Sequence, residues 1–136
     1  MKLYTNNELL SLFERHLAQM ATPEEPQRLY APIKYGLEVG GKRIRPTLLM
    51  LSYNLYAEDI ERALMPAMAV EIFHNFTLLH DDIMDNAMVR RGRPSVHAKW
   101  GENVAILSGD AMLILAYNHL QRTQTDNLSK VFEWFN

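Results

Sequence analysis

Three observations predict an all-α fold. Apolar residues recur at three- and four-residue steps along most of the chain, no segment of useful length alternates apolar with polar, and Thr22-Pro23, Gly40-Gly41 and the glycine-bearing stretch Asn86 to Gly101 separate periodic segments. At 136 residues the chain suits one domain of ordinary size, without internal repeats or low-complexity tracts.

Leu9, Leu10, Phe13, Leu17 and Met20 mark an amphipathic first helix, which Thr22-Pro23 ends. A second is expected from about Pro26 to Val39, with Leu29, Ile33 and Leu37 on one stripe, Pro26 in its first turn and Gly40-Gly41 as its stop. Pro46 to Tyr56 reads as a buried third helix. A long fourth is expected from Ile60 to Asp85, with Pro66 either starting or kinking it. Asn86 to Gly101 reads as a loop. Asn103 to Leu120 is apolar on nearly every side, the pattern of a helix buried in a core or a subunit interface. Gln121 to Asn127 is a polar connection to a last amphipathic segment, Ser129 to Asn136, with Val131, Phe132 and Phe135. The eight methionines, Met50, Met68 and Met112 among them, are expected to fill the core.

A net charge of -2 gives no general reason to expect nucleic acid or an anionic membrane as partner. The absence of cysteine excludes disulfides and thiolate metal sites and favours a reducing compartment. No apolar run reaches the ~20 residues of a membrane span, so no stable membrane insertion is expected. The N-terminus lacks the basic and apolar regions of a signal peptide, and a cytoplasmic location follows as the expectation.

The chemistry concentrates between Leu78 and Arg93. Asp81 and Asp85 are four residues apart and share a helix face, with Asp82 beside them. Such carboxylates repel one another, and the negative end of the helix dipole worsens their position, so they call for a cation. Magnesium takes carboxylate oxygens and commonly binds substrate phosphates at the same time. Arg90, Arg91 and Arg93 follow closely and suit those phosphates; as a solvated charge run they would mean less. His74 lies two helical turns before Asp81 and is either a core histidine or a phosphate contact.

Gly40-Gly41-Lys42-Arg43-Ile44-Arg45-Pro46 is a second constellation. Glycines allow close backbone approach, three cations supply charge, and the following helix directs its amides at an anion; the plain alternative is a solvated basic turn. A nucleotide-binding P-loop does not fit, because Arg43 stands where Ser or Thr must reach magnesium and a helix precedes where a strand is required. Trp100 is expected as a packing anchor, and His97 as a cap or contact of the loop.

Gly-Gly-Lys-Arg-Ile-Arg-Pro, then His-Asp-Asp-Ile-Met-Asp, then Arg-Arg-Gly-Arg-Pro closely resemble the trans-isoprenyl diphosphate synthases, or polyprenyl synthetases, over about Tyr35 to Leu120. That resemblance implies an isoprenoid synthase-type helical bundle and a magnesium-dependent prenyltransferase. Such an enzyme ionises an allylic diphosphate and joins the cation to isopentenyl diphosphate. It further implies that Asp81, Asp82 and Asp85 hold magnesium and that Arg90 binds the allylic diphosphate. Lys42, Arg45, His74 and Arg91 would bind isopentenyl diphosphate, with Gly41 contributing backbone.

In the family, bulky residues four or five positions before the first aspartate tend to block the growing chain. Those positions are Thr77 and Phe76 here, and a helical wheel favours Thr77 as the pocket-facing one. The aspartate motif also lacks the insertion of typical bacterial farnesyl synthases, which together points to geranylgeranyl or farnesyl diphosphate. Family members are roughly double this length and carry a second aspartate-rich motif, whereas after Asp85 only Glu102, Asp110, Asp126 and Glu133 are acidic. The chain is therefore expected to be the N-terminal portion of a single synthetase domain, a truncated form inactive alone, whose apolar face promotes self-association as a homodimer. A non-catalytic partner subunit is one alternative. A terpene cyclase or head-to-head synthase is another, and Lys42, Arg45 and Arg91 argue against a cyclase.

Overall fold

The computed structural model describes residues 1–136. Its helices are α1 (Asn6–Ala18), α2 (Gln27–Glu38), α3 (Ile44–Asn54), α4 (Leu64–Met84), α5 (Val96–Trp100), α6 (Glu102–Leu120) and α7 (Leu128–Phe135). The all-α expectation holds. Within the segment expected to be loop lie α5 and a small antiparallel ribbon, β1 (Val89–Arg90) paired with β2 (Arg93–Pro94).

Local chemistry sets most of the helix ends. Thr5 and Glu8 form a reciprocal capping box at the start of α1: Glu8 N–H donates to Thr5 Oγ1 at 3.2 Å, and Thr5 N–H donates to Glu8 Oε2 at 2.7 Å. α2 starts after Pro26 and runs through Pro32, which has no N–H to give the helix. Burial of Ile33, Tyr35 and Leu37 offsets that loss. α3 starts two residues earlier than expected because Arg43, in the left-handed region at φ 49°, turns the chain into it. The N–H and hydroxyl of Thr47 both donate to the Arg43 carbonyl, at 3.2 and 2.7 Å. The fourth helix opens with a 3₁₀ turn, Ile60–Ala63, so the α-helix itself begins only at Leu64. Pro66 thus falls in its first turn, where a missing N–H costs no intrahelical bond.

Two structural units share the chain. Met1–Gln19, Arg43–Glu71 and Ala116–Asn136 make the first. Leu9, Phe13, Met50, Ala67 and Met68 are fully buried in it. Arg43 is buried there too, its Nε donating to Glu14 at 2.9 Å and its Nη1 to Glu71 at 2.8 Å. The second comprises Met20–Lys42 and Ile72–Leu115, with Ile33, Ile72, Ala105 and Met112 fully buried. Met50, Met68 and Met112 are the core filler expected of them. Leu107 and Ile114 of α6 are 59% and 64% exposed, so one face of this apolar helix is uncovered in the single chain, which leaves the subunit-interface alternative open for that face. No helix is long and apolar enough to cross a membrane.

Candidate functional site

α4 ends in a Schellman turn. Asn86 adopts the left-handed conformation at φ 52°, its N–H donates to the Ile83 carbonyl at 3.1 Å, and the N–H of Ala87 donates to that of Asp82 at 2.8 Å. This closure leaves Asp81, Asp82 and Asp85 on the last turn, where successive residues step about 100° round the axis. Asp81 and Asp85 come out on one exposed face, clear of the ion pairs of the chain.

Asp82 turns away and is only 4% exposed. Arg90 grips it in a fork, Nε to Oδ2 at 2.8 Å and Nη2 to Oδ1 at 2.7 Å. Asp82 is thus paired with Arg90 while Asp81 and Asp85 stand apart from it, and no group of three acids or histidines converges on one point. Both Asp82 oxygens are committed to an arginine. The hydrogen bond that Arg90 donates to Asp82 holds the Arg90 proton more firmly than usual, against the opposing effect of burial, and the charges of Asp82, Asp81 and Asp85 add to it. Arg90 also supplies positive charge at a helix terminus that disfavours acids.

The ribbon carrying Arg90 and Arg91 is a two-residue hairpin. Arg91 and Gly92 occupy its turn at φ 51° and 75°, the doubly positive pattern of a type I′ turn. Its base is tied by Ser95, whose N–H donates to the Met88 carbonyl at 2.9 Å and whose hydroxyl donates to that of Ala87 at 2.7 Å. His97 Nε2 lies 2.6 Å from the same Ala87 carbonyl, the loop contact expected of it. Trp100 packs edge-on against Tyr35, with ring centroids 5.0 Å apart.

The two basic motifs meet at Gly41. A Cβ built on Gly41 would lie 2.7 Å from Nη1 of Arg91, so the guanidinium rests where only a glycine leaves room. Lys42 is exposed in the loop after α2, and Arg45 is exposed on the first turn of α3, in the first unit. Arg43 contributes nothing to an anion site: its charge is spent on Glu14 and Glu71 inside that unit. His74 is half-buried on α4, and its carbonyl accepts the Thr77 hydroxyl at 2.6 Å. Thr77 stands one turn before Asp81. Phe76 points elsewhere, its ring edge-on to Phe73 at 5.4 Å and to His80 at 4.9 Å.

His80 is a residue the motif reading passed over. Its Nε2 is 3.1 Å from the Ile106 carbonyl, and a Cβ on Gly109 would collide with its ring. The sequence signal was Gly109 itself, a glycine inside an apolar helix.

Asp81 and Asp85 fit a magnesium ion in one specific way. The ion commonly uses one or two carboxylates and completes its shell with water and substrate phosphate. Two exposed carboxylates, with Arg90 beside them, meet that description.

Comparison with known proteins places the chain in a wider group. The family model described as Polyprenyl synthetase matches residues 26–136. A geranylgeranyl diphosphate synthase of Saccharolobus solfataricus is 58% identical over 81 residues, 60% of this chain and 24% of that protein. A short chain isoprenyl diphosphate synthase of Methanocaldococcus jannaschii is 44% identical over 119 residues, 83% of this chain and 36% of that one. A crystal structure of a geranylgeranyl pyrophosphate synthase superposes with a TM-score of 0.92 at 45% identity, covering 97% of this chain and 40% of that chain. The chain thus spans well under half the length of these relatives.

Proposed function

Since the chain belongs to the polyprenyl synthetase family, we propose that it carries diphosphate-binding aspartates and basic residues of a magnesium-dependent prenyltransferase. Such an enzyme joins isopentenyl diphosphate to an allylic diphosphate and yields a short product, geranylgeranyl or farnesyl diphosphate. The observation that carries this reading is the clustering at one end of the second unit: two exposed carboxylates, an arginine held by Asp82 and a second arginine lodged on Gly41.

In this reading Asp81 and Asp85 would hold magnesium, whose charge when bound would stabilise the leaving diphosphate. Asp82 fixes the Arg90 guanidinium beside the place of the allylic diphosphate, so the pyrophosphate oxygen leaves toward a fixed positive charge as the carbon–oxygen bond breaks. Arg91, Lys42 and His74, with the backbone at Gly41, receive the diphosphate of isopentenyl diphosphate, whose double bond attacks the allylic carbon. Loss of a proton completes the five-carbon extension. Thr77, on the Asp81 face, borders the growing chain, while the Phe76 ring is taken up by Phe73 and His80.

The exposed strip of Leu107 and Ile114 on α6 supports a homodimer. It equally suits a partner subunit, the second reading.

Calorimetry and product analysis test the proposal together. The 136-residue chain should bind magnesium diphosphate yet give no extended product from isopentenyl and allylic diphosphates. Product from the chain alone would contradict the reading of a portion inactive by itself, and absence of any diphosphate binding would contradict the site.

A further inference from the structure

Tyr35 lies on α2, outside every role assigned above, and is only 8% exposed. Its hydroxyl donates to the Pro94 carbonyl at 2.8 Å. Arg93 stands over its ring at 4.7 Å from the centroid and Lys99 at 4.4 Å. Pro94 and Arg93 are β2, and in register they face Val89 and Arg90 of β1.

Besides Lys99 and Trp100 of α5, Tyr35 holds both residues of one strand of the ribbon whose other strand and turn carry the two diphosphate arginines. Strands of two residues do not hold themselves. Arg90 and Arg93 moreover stand directly opposite each other, a like-charge pair that destabilises a ribbon. The structure resolves the conflict by giving each arginine its own seat: Asp82 for Arg90, Gly41 for Arg91 and the Tyr35 ring for Arg93. The seats on Tyr35 and Gly41 belong to α2 and the loop that follows it. Packing alone would require the ring but not a buried hydroxyl aimed at one carbonyl.

We infer that Tyr35 is a positioning residue for diphosphate binding, fixing the hairpin so that Arg90 and Arg91 face the ligand in a single arrangement. This rests on the site reading given above. Positioning of this kind lowers the cost of ordering the arginines when ligand binds.

Tyr35→Phe deletes one oxygen and keeps the ring; Tyr35→Leu removes both. Binding of inorganic diphosphate with magnesium is measured by calorimetry well below the melting temperature. Exchange of the Arg90 Nε proton with water is followed in parallel by NMR. Tyr35→Phe should weaken binding roughly three- to tenfold and speed that exchange, with helix content unchanged. Tyr35→Leu should do more, and if it fails to fold, Tyr35→Phe decides alone. Wild-type affinity and wild-type proton exchange in Tyr35→Phe would overturn the inference. If the wild-type chain binds no diphosphate, the site reading falls, and the proton exchange still tests whether Tyr35 fixes the hairpin.

Discussion

Asp81 and Asp82 are neighbouring carboxylates in opposite circumstances. Asp81 is exposed at a helix end where its charge is unwelcome, whereas Asp82 is buried and doubly bonded to Arg90. Asp82→Asn should therefore lower stability by about 1–3 kcal/mol in urea unfolding, since it leaves Arg90 without its charged acceptor. Asp81→Asn should stay within about 0.5 kcal/mol of wild type and err toward stabilisation, because it relieves repulsion from Asp85 and the helix dipole. Only Asp81→Asn would then lose magnesium-dependent ligand binding with no loss of fold. The types and spacing of Asp81, Asp82 and Asp85 were legible in the sequence. Their division of labour was not, because the partner that captures Asp82 lies eight residues on, beyond a helix stop.

At the scale of elements, the helices were legible from periodicity and the hairpin was not. Two-residue strands are too short to alternate, and the I′ turn is built on Arg-Gly instead of the usual Asn-Gly. Gly92 takes φ 75° in that turn, so Gly92→Val should weaken diphosphate binding through the hairpin, measurable by calorimetry, while α1 and α3 keep their helicity. The capping box of α1 predicts a pH effect. Hydrogen bonds from the backbone N–H and then the hydroxyl of Thr5 hold the Glu8 carboxyl below its ordinary 4.5. Its contribution is accordingly present above that value and is lost as pH falls through the lowered one. Stability curves of wild type and Glu8→Gln should converge in acid and part near neutrality, read from amide exchange at the start of α1.

At the scale of the whole molecule, the apolar character of α6 was legible, but not which side the single chain leaves bare. A cavity of about 630 Å³ lies along that bare face, lined by Pro26, Leu29, Val104, Leu107, Ala111 and Ile114. Burying a Leu or Ile side chain is worth about 1.5–3 kcal/mol, so this face favours association. Sedimentation should show the wild-type chain self-associating with rising concentration and Leu107→Lys with Ile114→Lys shifting it toward monomer.

Asp81 and Asp85, beside the clamped Arg90, are proposed to form a joint site for magnesium and diphosphate. Calorimetric titration of inorganic diphosphate, with and without magnesium, tests it on the wild-type chain and on Asp81→Asn with Asp85→Asn. Binding that requires magnesium in the wild type and disappears in the double variant is the predicted result. Equal binding with and without magnesium, or equal binding by the variant, would contradict it.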